Sequence, residues 1–336
     1  MIREAIQKVV EGIDLTPEEA RLAMEDIMGG HATEAQIGGF LVGMRVKGET
    51  VAEITAFTSV MRDHATRIDP GSDRVLDVVG TGGDRTGTFN ISTAAAFVAA
   101  GAGVTVAKHG NRSVSSKCGS ADLIRELGIN IDISPEKIAS CIRTAGIAFL
   151  FAPNLHLSMK HAIGPRRELG VRTFFNILGP MTNPAGAKRI LLGVYSEELV
   201  ETIAGVLANL QFEHAFVVHG SDGLDEITTT GTTSIAEVKN GVISHAVITP
   251  EEYGIPRALP ADLKGGEAAE NRDIFNAVLS GGKGPKRDVV VLNAAFAICA
   301  GGKASKPDDG ILLAEQSIDS GAAMRCYHTL REHSNA

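Results

Sequence analysis

The sequence has no tryptophan and only three tyrosines in 336 residues, and aromatic residues make up 4% of it. That is too little for the stacking platforms on which single-stranded nucleic acids are held. Basic residues are also in the minority: 32 Lys and Arg against 40 Asp and Glu leave a formal net charge of −8. Such a field repels polyanions, so neither nucleic acid nor an anionic membrane surface is an expected partner. The four cysteines, Cys118, Cys141, Cys299 and Cys326, lie far apart with no C-x-x-C spacing. Their scatter argues against a zinc knuckle and against a disulfide framework and leaves reduced thiols. No long apolar run is present, since the longest, residues 94–104, contains glycine and falls well short of a span, which needs ~20 residues. Polar residues interrupt Met1-Ile2-Arg3-Glu4-Ala5, so no signal peptide opens the sequence and the cytoplasm is the expected location. What remains is 44% hydrophobic residues in a chain long enough for two domains or one large one, a compact globular protein for which small-molecule chemistry is the default.

The N-terminal part reads as helices. Leu15-Thr16-Pro17-Glu18-Glu19 offers a capping Thr, Pro at the first helical position and acids in the first turn, and Ala20, Ala23, Met24, Ile27 and Met28 follow at helical spacing until Gly29-Gly30. Thr33-x-x-Gln36 and Thr50-x-x-Glu53 are two further capping boxes, the second leading a stretch that runs toward His64. The first 70 or so residues are expected to form a small helical unit.

From Val75 the pattern becomes an alternation of β and α. Val75-Leu76-Asp77-Val78-Val79 and residues 104–107, 147–151, 189–195 and 215–219 are near-continuous apolar runs with helical stretches between them. They predict a mainly parallel sheet covered on both faces. Asn240-Gly241, between residues 234–239 and 242–249, is a two-residue hairpin signal and predicts an antiparallel element after the parallel core. Helices around 287–300 and 308–330 close the chain, which shows no internal repeat or low-complexity tract.

The densest glycine signal, Gly80-Thr81-Gly82-Gly83-Asp84-Arg85-Thr86-Gly87-Thr88, sits where the first strand ends and a helix is about to begin. Glycine lets backbone N–H groups approach an anion, and a helix N-terminus adds about half a positive charge. The spacing is neither a dinucleotide fingerprint, which would need Gly where Arg85 stands, nor a Walker loop. Taken alone, a tight structural turn is as good a reading as a phosphate cradle. Asn90-Ile91-Ser92-Thr93 follows at the helix start, where ordinary N-capping would explain it. After the next strand comes Lys108-His109-Gly110-Asn111-Arg112-Ser113-Val114-Ser115-Ser116-Lys117-Cys118-Gly119-Ser120, a second polar strand-to-helix loop. Two such loops at adjacent strand ends suggest one polyanionic ligand, against the plainer reading of a solvated charged face.

These three segments, in this order and spacing, resemble anthranilate phosphoribosyltransferases of the tryptophan pathway. The likeness continues through Phe151-Ala152-Pro153, His156, Met159-Lys160, Arg166-Arg167-Glu168-Leu169-Gly170, Arg172-Thr173-Phe174-Phe175-Asn176 and Leu178-Gly179-Pro180 to the acidic Asp222-Gly223-Leu224-Asp225-Glu226, and so covers nearly the whole chain. Three residues depart from the family pattern: Cys118 where Ser or Gly is usual, Leu155 before His156, and Met181 in place of Leu. The last two lie beside His156 and Pro180 and bear on the fit of the acceptor pocket.

The resemblance implies transfer of phosphoribose from phosphoribosyl pyrophosphate (PRPP) to the amine of anthranilate, with release of pyrophosphate and with two Mg²⁺ per active site. It implies a PRPP site of Gly80, Gly83, Asp84, Thr88, Asn90, Ile91, Ser92, Thr93, Lys108, His109, Gly110, Asn111, Arg112, Ser113, Val114, Ser115, Ser116 and Ser120, with Asp84 and Lys108 positioning the leaving group and Lys108 supplying a direct positive charge. Ser92, Asp225 and Glu226 become the metal contacts; without the family, a solvated acidic turn is the better reading of that pair. Anthranilate is a flat aromatic carboxylate, and the resemblance gives its carboxylate to Arg166, otherwise read as an ion-pair partner of Glu168. Gly80, His109, Asn111, His156 and Pro180 line the rest of the pocket, each histidine having also the plain reading of a hydrogen-bonded structural residue. No residue is assigned as general base.

The resemblance implies a small all-helical domain, residues 1–70 plus about 168–188, beside a larger α/β domain, residues 71–167 plus about 189–336, with a mainly parallel sheet flanked by helices. The active site is expected in the cleft between them and a homodimer through the helical domain. Two rivals stand: a pyrimidine-nucleoside phosphorylase, which has a similar glycine loop but an extra C-terminal domain, and a non-catalytic relative that binds nucleic acid, which the −8 charge opposes.

Overall fold

The computed structural model describes residues 1–84, 86–112 and 117–336. Four helices open the chain: α1 (Ile2–Val10), α2 (Pro17–Met28), α3 (Glu34–Lys47) and α4 (Val51–Asp63). Thr16, Thr33 and Thr50 each close a capping box with Glu19, Gln36 and Glu53, as their spacing predicts. Glu53 does more than cap. Its fully buried carboxylate also accepts from the Leu15 amide (2.9 Å) and from Lys47 Nζ (3.0 Å), tying α4 back to α3 and to the turn before α2.

The alternating part follows as β1 (Val75–Gly80), α5 (Ile91–Gly101), β2 (Thr105–Gly110), α6 (Ser120–Glu126), α7 (Pro135–Ala145) and β3 (Ile147–Phe151). A crossover of short helices comes next, α8 (Ala152–Leu155), α9 (Lys160–Leu169) and α10 (Phe175–Leu178), and leads to β4 (Arg189–Gly193), α11 (Glu198–Asn209) and β5 (His214–Gly220). The hairpin is β6 (Thr233–Lys239) and β7 (Val242–Ile248), with α12 (Ala268–Leu279), α13 (Pro285–Ala300), α14 (Pro307–Asp319) and α15 (Ala322–Asn335) completing the chain. The stretch expected as one helix over 308–330 is two, because Gly321 at φ +72° breaks it between α14 and α15.

The sheet order is β3-β2-β1-β4-β5-β6-β7. The first five strands are parallel, and β6 runs antiparallel to both β5 and β7. Asn240 and Gly241 turn the hairpin with φ of +50° and +81°, the two positive values that a right-twisted two-residue connection needs. The chain winds outward from β1 to β2 and β3 and then returns to place β4 on the other side of β1. In parallel α/β sheets ligands bind beyond the strand C-termini at such a reversal. Here those ends are Gly80, Gly193 and Gly110.

Two apolar cores flank the sheet. One joins β1–β3 to α5, α7, α13, α14 and α15, with Phe97, Phe275 and Tyr327 edge to face. The other joins α1–α4 to Phe174, Phe175, Ile177, Leu178 and Met181 of the crossover and continues through α11 onto one face of β4, β5 and β6. Phe174 is the joint, stacked on Phe57 (4.5 Å between centroids) and edge-on to Phe40. The crossover is thereby clamped onto the helical unit while its ends stay in the sheet layer.

Candidate active site

The loop after β1 holds Gly82, Gly83 and Gly87 in left-handed backbone (φ +67°, +81° and +68°), which other residues adopt at a cost. Gly80 and Gly193 serve a different need. A Cβ on Gly80 would strike the Asp225 carboxylate, and one on Gly193 would overlap the Asp225 carbonyl. Two adjacent strands therefore end in glycine so that the loop after β5 can lie across them. Asp225 uses that approach to accept the Gly82 amide (2.6 Å), and Glu226 accepts the Ser92 amide at the start of α5 (3.1 Å). The acidic pair is no solvated turn, since it bonds to the glycine loop and to the start of α5. It is held from behind by Asn293, buried in α13, which donates to the Ile227 carbonyl and accepts its amide.

Lys108, almost wholly buried, donates to the Val78 carbonyl and stands 3.4 Å from the Ser92 hydroxyl. Burial pulls its pKa down, opposed by the charges of Asp77, Glu226 and Asp225. The two carboxyls are pushed up, Asp225 by burial and then by Asp84, Glu226 by loss of solvent and then by Asp225. Asp225 and Glu226 are thus buried beside the Lys108 ammonium, with the Asp84 charge close enough to act on both. Such an arrangement, made of hard oxygen donors, is suited to an added divalent cation that keeps waters and substrate oxygens in its shell. Among the described residues no three His, Cys, Asp or Glu side chains converge into a protein-only metal cage.

Asn90 departs from its plain reading as a helix cap. Its side chain makes no capping bond; it donates to the Cys118 carbonyl (3.2 Å) and accepts from Asn271 (3.0 Å), tying the starts of α5 and α6 to α12. Thr93 Oγ1 is buried without a partner among the described residues. Asp84 accepts from the Thr86 hydroxyl, and Thr88 bridges to Lys264. At the end of β2, Gly110 leaves no room for a Cβ against Ser120 and Phe149, and Ser120 Oγ donates to the Asn111 carbonyl (3.2 Å). Arg112 is exposed, its guanidinium 5.7 Å from the Phe151 ring centre. Arg85, Ser113, Val114, Ser115 and Ser116 lie outside the described residues.

The acceptor-side residues fall into two places. His109 and His156, both buried, meet Nε2 to Nε2 at 3.2 Å, and His109 Nδ1 lies 3.2 Å from the Gly179 carbonyl, beside buried Pro180. Burial holds both rings neutral, pushing His109 down to about 3, with His156 adding to the effect, and His156 down to about 4. Arg166 sits on α9 with its guanidinium 5.0 Å from the Phe175 ring centre, and burial lowers its pKa. Among the described residues it pairs with no carboxylate, so the ion pair with Glu168 does not form. Half-buried and unneutralised, it is a guanidinium available to a carboxylate ligand.

Sequence reasoning missed four members of this framework. Asp77, fully buried in β1 and pushed up to about 6 by burial, accepts the His109 amide (3.1 Å) and Asn183 Nδ2 (2.7 Å). Asn183 also donates to the Ala107 carbonyl, fixing the crossover to β2. Arg172 donates to the Gly83 carbonyl (2.9 Å) and lies 4.2 Å from the Tyr195 ring centre, a strap from the crossover to the glycine loop. Lys264 donates to the Thr86 carbonyl. An acid in the middle of an apolar strand was the one visible signal, at Asp77. The other three act through contacts far apart in sequence.

Comparison with known proteins fits this arrangement. Residues 3–65 match the helical bundle domain of a glycosyl transferase family, and residues 72–324 match the a/b domain of that family. The anthranilate phosphoribosyltransferase of Pelobacter propionicus is 54% identical over 96% of this chain and 97% of its own length. That of Acetivibrio thermocellus is 53% identical over 100% of this chain and 97% of its own. Among solved structures, the Thermus thermophilus anthranilate phosphoribosyltransferase superposes with a TM-score of 0.94 at 40% identity, covering 99% of both chains. The Saccharomyces cerevisiae enzyme in complex with PRPP and Mg does so with 0.90 at 28% identity, covering 99% of this chain and 98% of that one.

Proposed function

Because the chain belongs to the anthranilate phosphoribosyltransferases and so transfers phosphoribose from PRPP to the amine of anthranilate with Mg²⁺, we propose that the glycine ends of β1, β2 and β4 are its PRPP platform. The observation that carries this assignment is the pair of bonds from Asp225 to the glycine loop and from Glu226 to the start of α5. The two bonds set the glycine loop, the start of α5 and the acidic loop around one point at the sheet's reversal, and Lys108 of β2 reaches the same point at Ser92.

In this reading Gly80, Gly83, Asp84, Thr88, Asn90–Thr93 and the loop 108–116 with Ser120 hold PRPP through backbone amides and hydroxyls. Lys108 supplies the buried positive charge beneath Ser92, and Asp84 orients the leaving group. Ser92, Asp225 and Glu226 would hold two Mg²⁺ per active site; bound there, Mg²⁺ neutralises the pyrophosphate as it leaves. Positive charge grows on the ribose as that bond breaks, so the chain's task is to fix both partners and exclude water rather than to supply a nucleophile.

Anthranilate lies between the two groups of acceptor-side residues, its carboxylate on Arg166 and its ring and amine against His109, His156, Pro180, Asn111 and Gly80. The saccharomycete relative bound to 4-fluoroanthranilate supports an aromatic acceptor of this size. The site divides a helical domain, residues 1–70 with 168–188, from the α/β remainder. The enzyme works in the cytoplasm, in keeping with four free cysteines, and no helix is long and apolar enough to cross a membrane among the described residues. It forms a homodimer through the helical domain, as its exposed apolar stripe on α3 suggests.

Arg166→Ala tests the acceptor side. We expect the anthranilate KM to rise at least tenfold while the PRPP KM stays within twofold, since a charged hydrogen bond is worth about 1.5–3 kcal/mol. Equal changes in both constants would remove Arg166 from the anthranilate site.

A further inference from the structure

The two buried histidines have a fixed proton order. A carbonyl oxygen only accepts, so the 3.2 Å contact with Gly179 puts a proton on His109 Nδ1. His109 is neutral, so its Nε2 is bare and must accept, and the 3.2 Å contact between the rings is then donated by His156 Nε2. His156 is neutral as well, which leaves its Nδ1 without a proton. That nitrogen is buried and has no hydrogen-bond partner among the described residues. A bare, buried acceptor costs free energy unless a donor meets it. The chain of two rings therefore ends in a lone pair that asks for an N–H or O–H.

We propose that His156 Nδ1 accepts a hydrogen bond from the amine of the aromatic substrate and takes that amine's proton once the new bond has formed. His109 acts as the positioning residue that holds His156 in the required tautomer. This rests on the acceptor-pocket reading above and adds to it the atom that handles the proton. The amine lone pair forms the C–N bond to the anomeric carbon, while the bond from that carbon to pyrophosphate breaks and leaves its electron pair on pyrophosphate. The nitrogen, now cationic, gives up one proton to His156 Nδ1. Burial makes this imidazole a weak base, at about 4. A cationic aryl nitrogen is acidic enough to protonate it, and the neutral ring survives in water-free surroundings at pH 7. The extra proton passes from His156 to water when the product leaves and the site opens, which restores the lone pair for the next turnover.

The test is long-range ¹H–¹⁵N NMR of the full chain labelled in its histidine rings, with His156 assigned by comparison with His156→Gln. In the free protein we expect His109 protonated on Nδ1 and His156 on Nε2. Saturating 2-aminobenzoate should shift the His156 Nδ1 resonance away from the bare-nitrogen position. Benzoate, which has the ring and carboxylate but no amine, should leave it in place. Kinetics give the second arm. His156→Gln keeps a donor toward His109 and loses the acceptor, so kcat should fall about 100-fold with the PRPP KM unchanged. His156→Asn, which offers an acceptor near the Nδ1 position, should recover the anthranilate KM but not kcat. His156 protonated on Nδ1 in the free protein, equal shifts with both ligands, or wild-type kcat in His156→Gln would each overturn the proposal while wild-type turnover left the anthranilate reading standing. Absence of turnover by folded wild type would take down both.

Discussion

His109, His156 and Asp77 form a buried group whose protonation the fold decides, and each carries a signed dependence of stability on pH. A histidine held at about 3 or about 4 in the folded state and near 6.5 when unfolded binds its proton only in the unfolded chain over the interval between. Stability from these two rings is therefore complete above pH 6.5 and is lost as pH falls, by about 1.4 kcal/mol per pH unit for each ring. Asp77 works in the opposite direction. Its carboxyl stays protonated up to about 6 in the fold but ionises near 4 when free, so between those values it favours the folded state as pH falls. His156→Gln removes one of the two acid-sensitive protons. Urea unfolding between pH 4 and 6.5 should show an acid limb shallower than wild type by about 1.4 kcal/mol per pH unit; parallel limbs would mean that His156 is already charged in the fold. Much at this scale was legible. Most of the residues proposed for PRPP lie in two loops whose composition is plain, and Asp225 and Glu226 stand out once the glycine loops set a context. Arg172 and Asn183 were not, because an arginine that straps a loop reads in sequence like any surface arginine.

At the scale of elements, local chemistry wrote the boundaries and distant packing wrote the order. Thr16, Thr33 and Thr50 start their helices, Asn240-Gly241 turns the hairpin, and Ile147–Phe151 is the strand its composition predicts. Each of these needs only neighbours within a few residues. The return of β4 to the far side of β1 depends on the crossover folding back through Phe174, which no local pattern records. The break between α14 and α15 was missed for a related reason: Ser320-Gly321 interrupts an apolar periodicity that runs on both sides of it. Gly321 holds φ +72° and its Cβ position is crowded only by Arg325, so the conformation and not space requires glycine. Gly321→Ala should lower stability by about 1–2 kcal/mol without changing either substrate KM. A neutral or stabilising result in urea unfolding would show that α14 and α15 join as one helix.

At the scale of the whole molecule, the helical unit leaves an apolar face uncovered. Ala35, Gly39, Val42 and Val46 recur at helical spacing on the outer side of α3, with Val42 42% and Val46 82% exposed. Val10 and Ile13, at and beyond the end of the neighbouring α1, are 70% and 46% exposed. An apolar stripe of this kind marks a surface that another protein covers, and a second copy of the helical unit is the partner that the proposed homodimer supplies. Sedimentation should give twice the chain mass for wild type and a monomer for the Val42→Asp/Val46→Asp variant. A monomeric wild type would refute the dimer.

The glycine ends of β1, β2 and β4, the start of α5 and the Asp225-Glu226 loop are proposed to form a single Mg²⁺-dependent PRPP site for transfer to anthranilate. It is tested most directly by following loss of anthranilate fluorescence on mixing the protein with PRPP, with and without Mg²⁺, beside the Asp225→Asn/Glu226→Gln variant. Wild type should turn over and stop when the metal is chelated, and the variant should be at least about 100-fold slower at saturating anthranilate. Equal turnover with and without Mg²⁺, or a folded wild type that leaves anthranilate untouched but cleaves a nucleoside with phosphate, would contradict it.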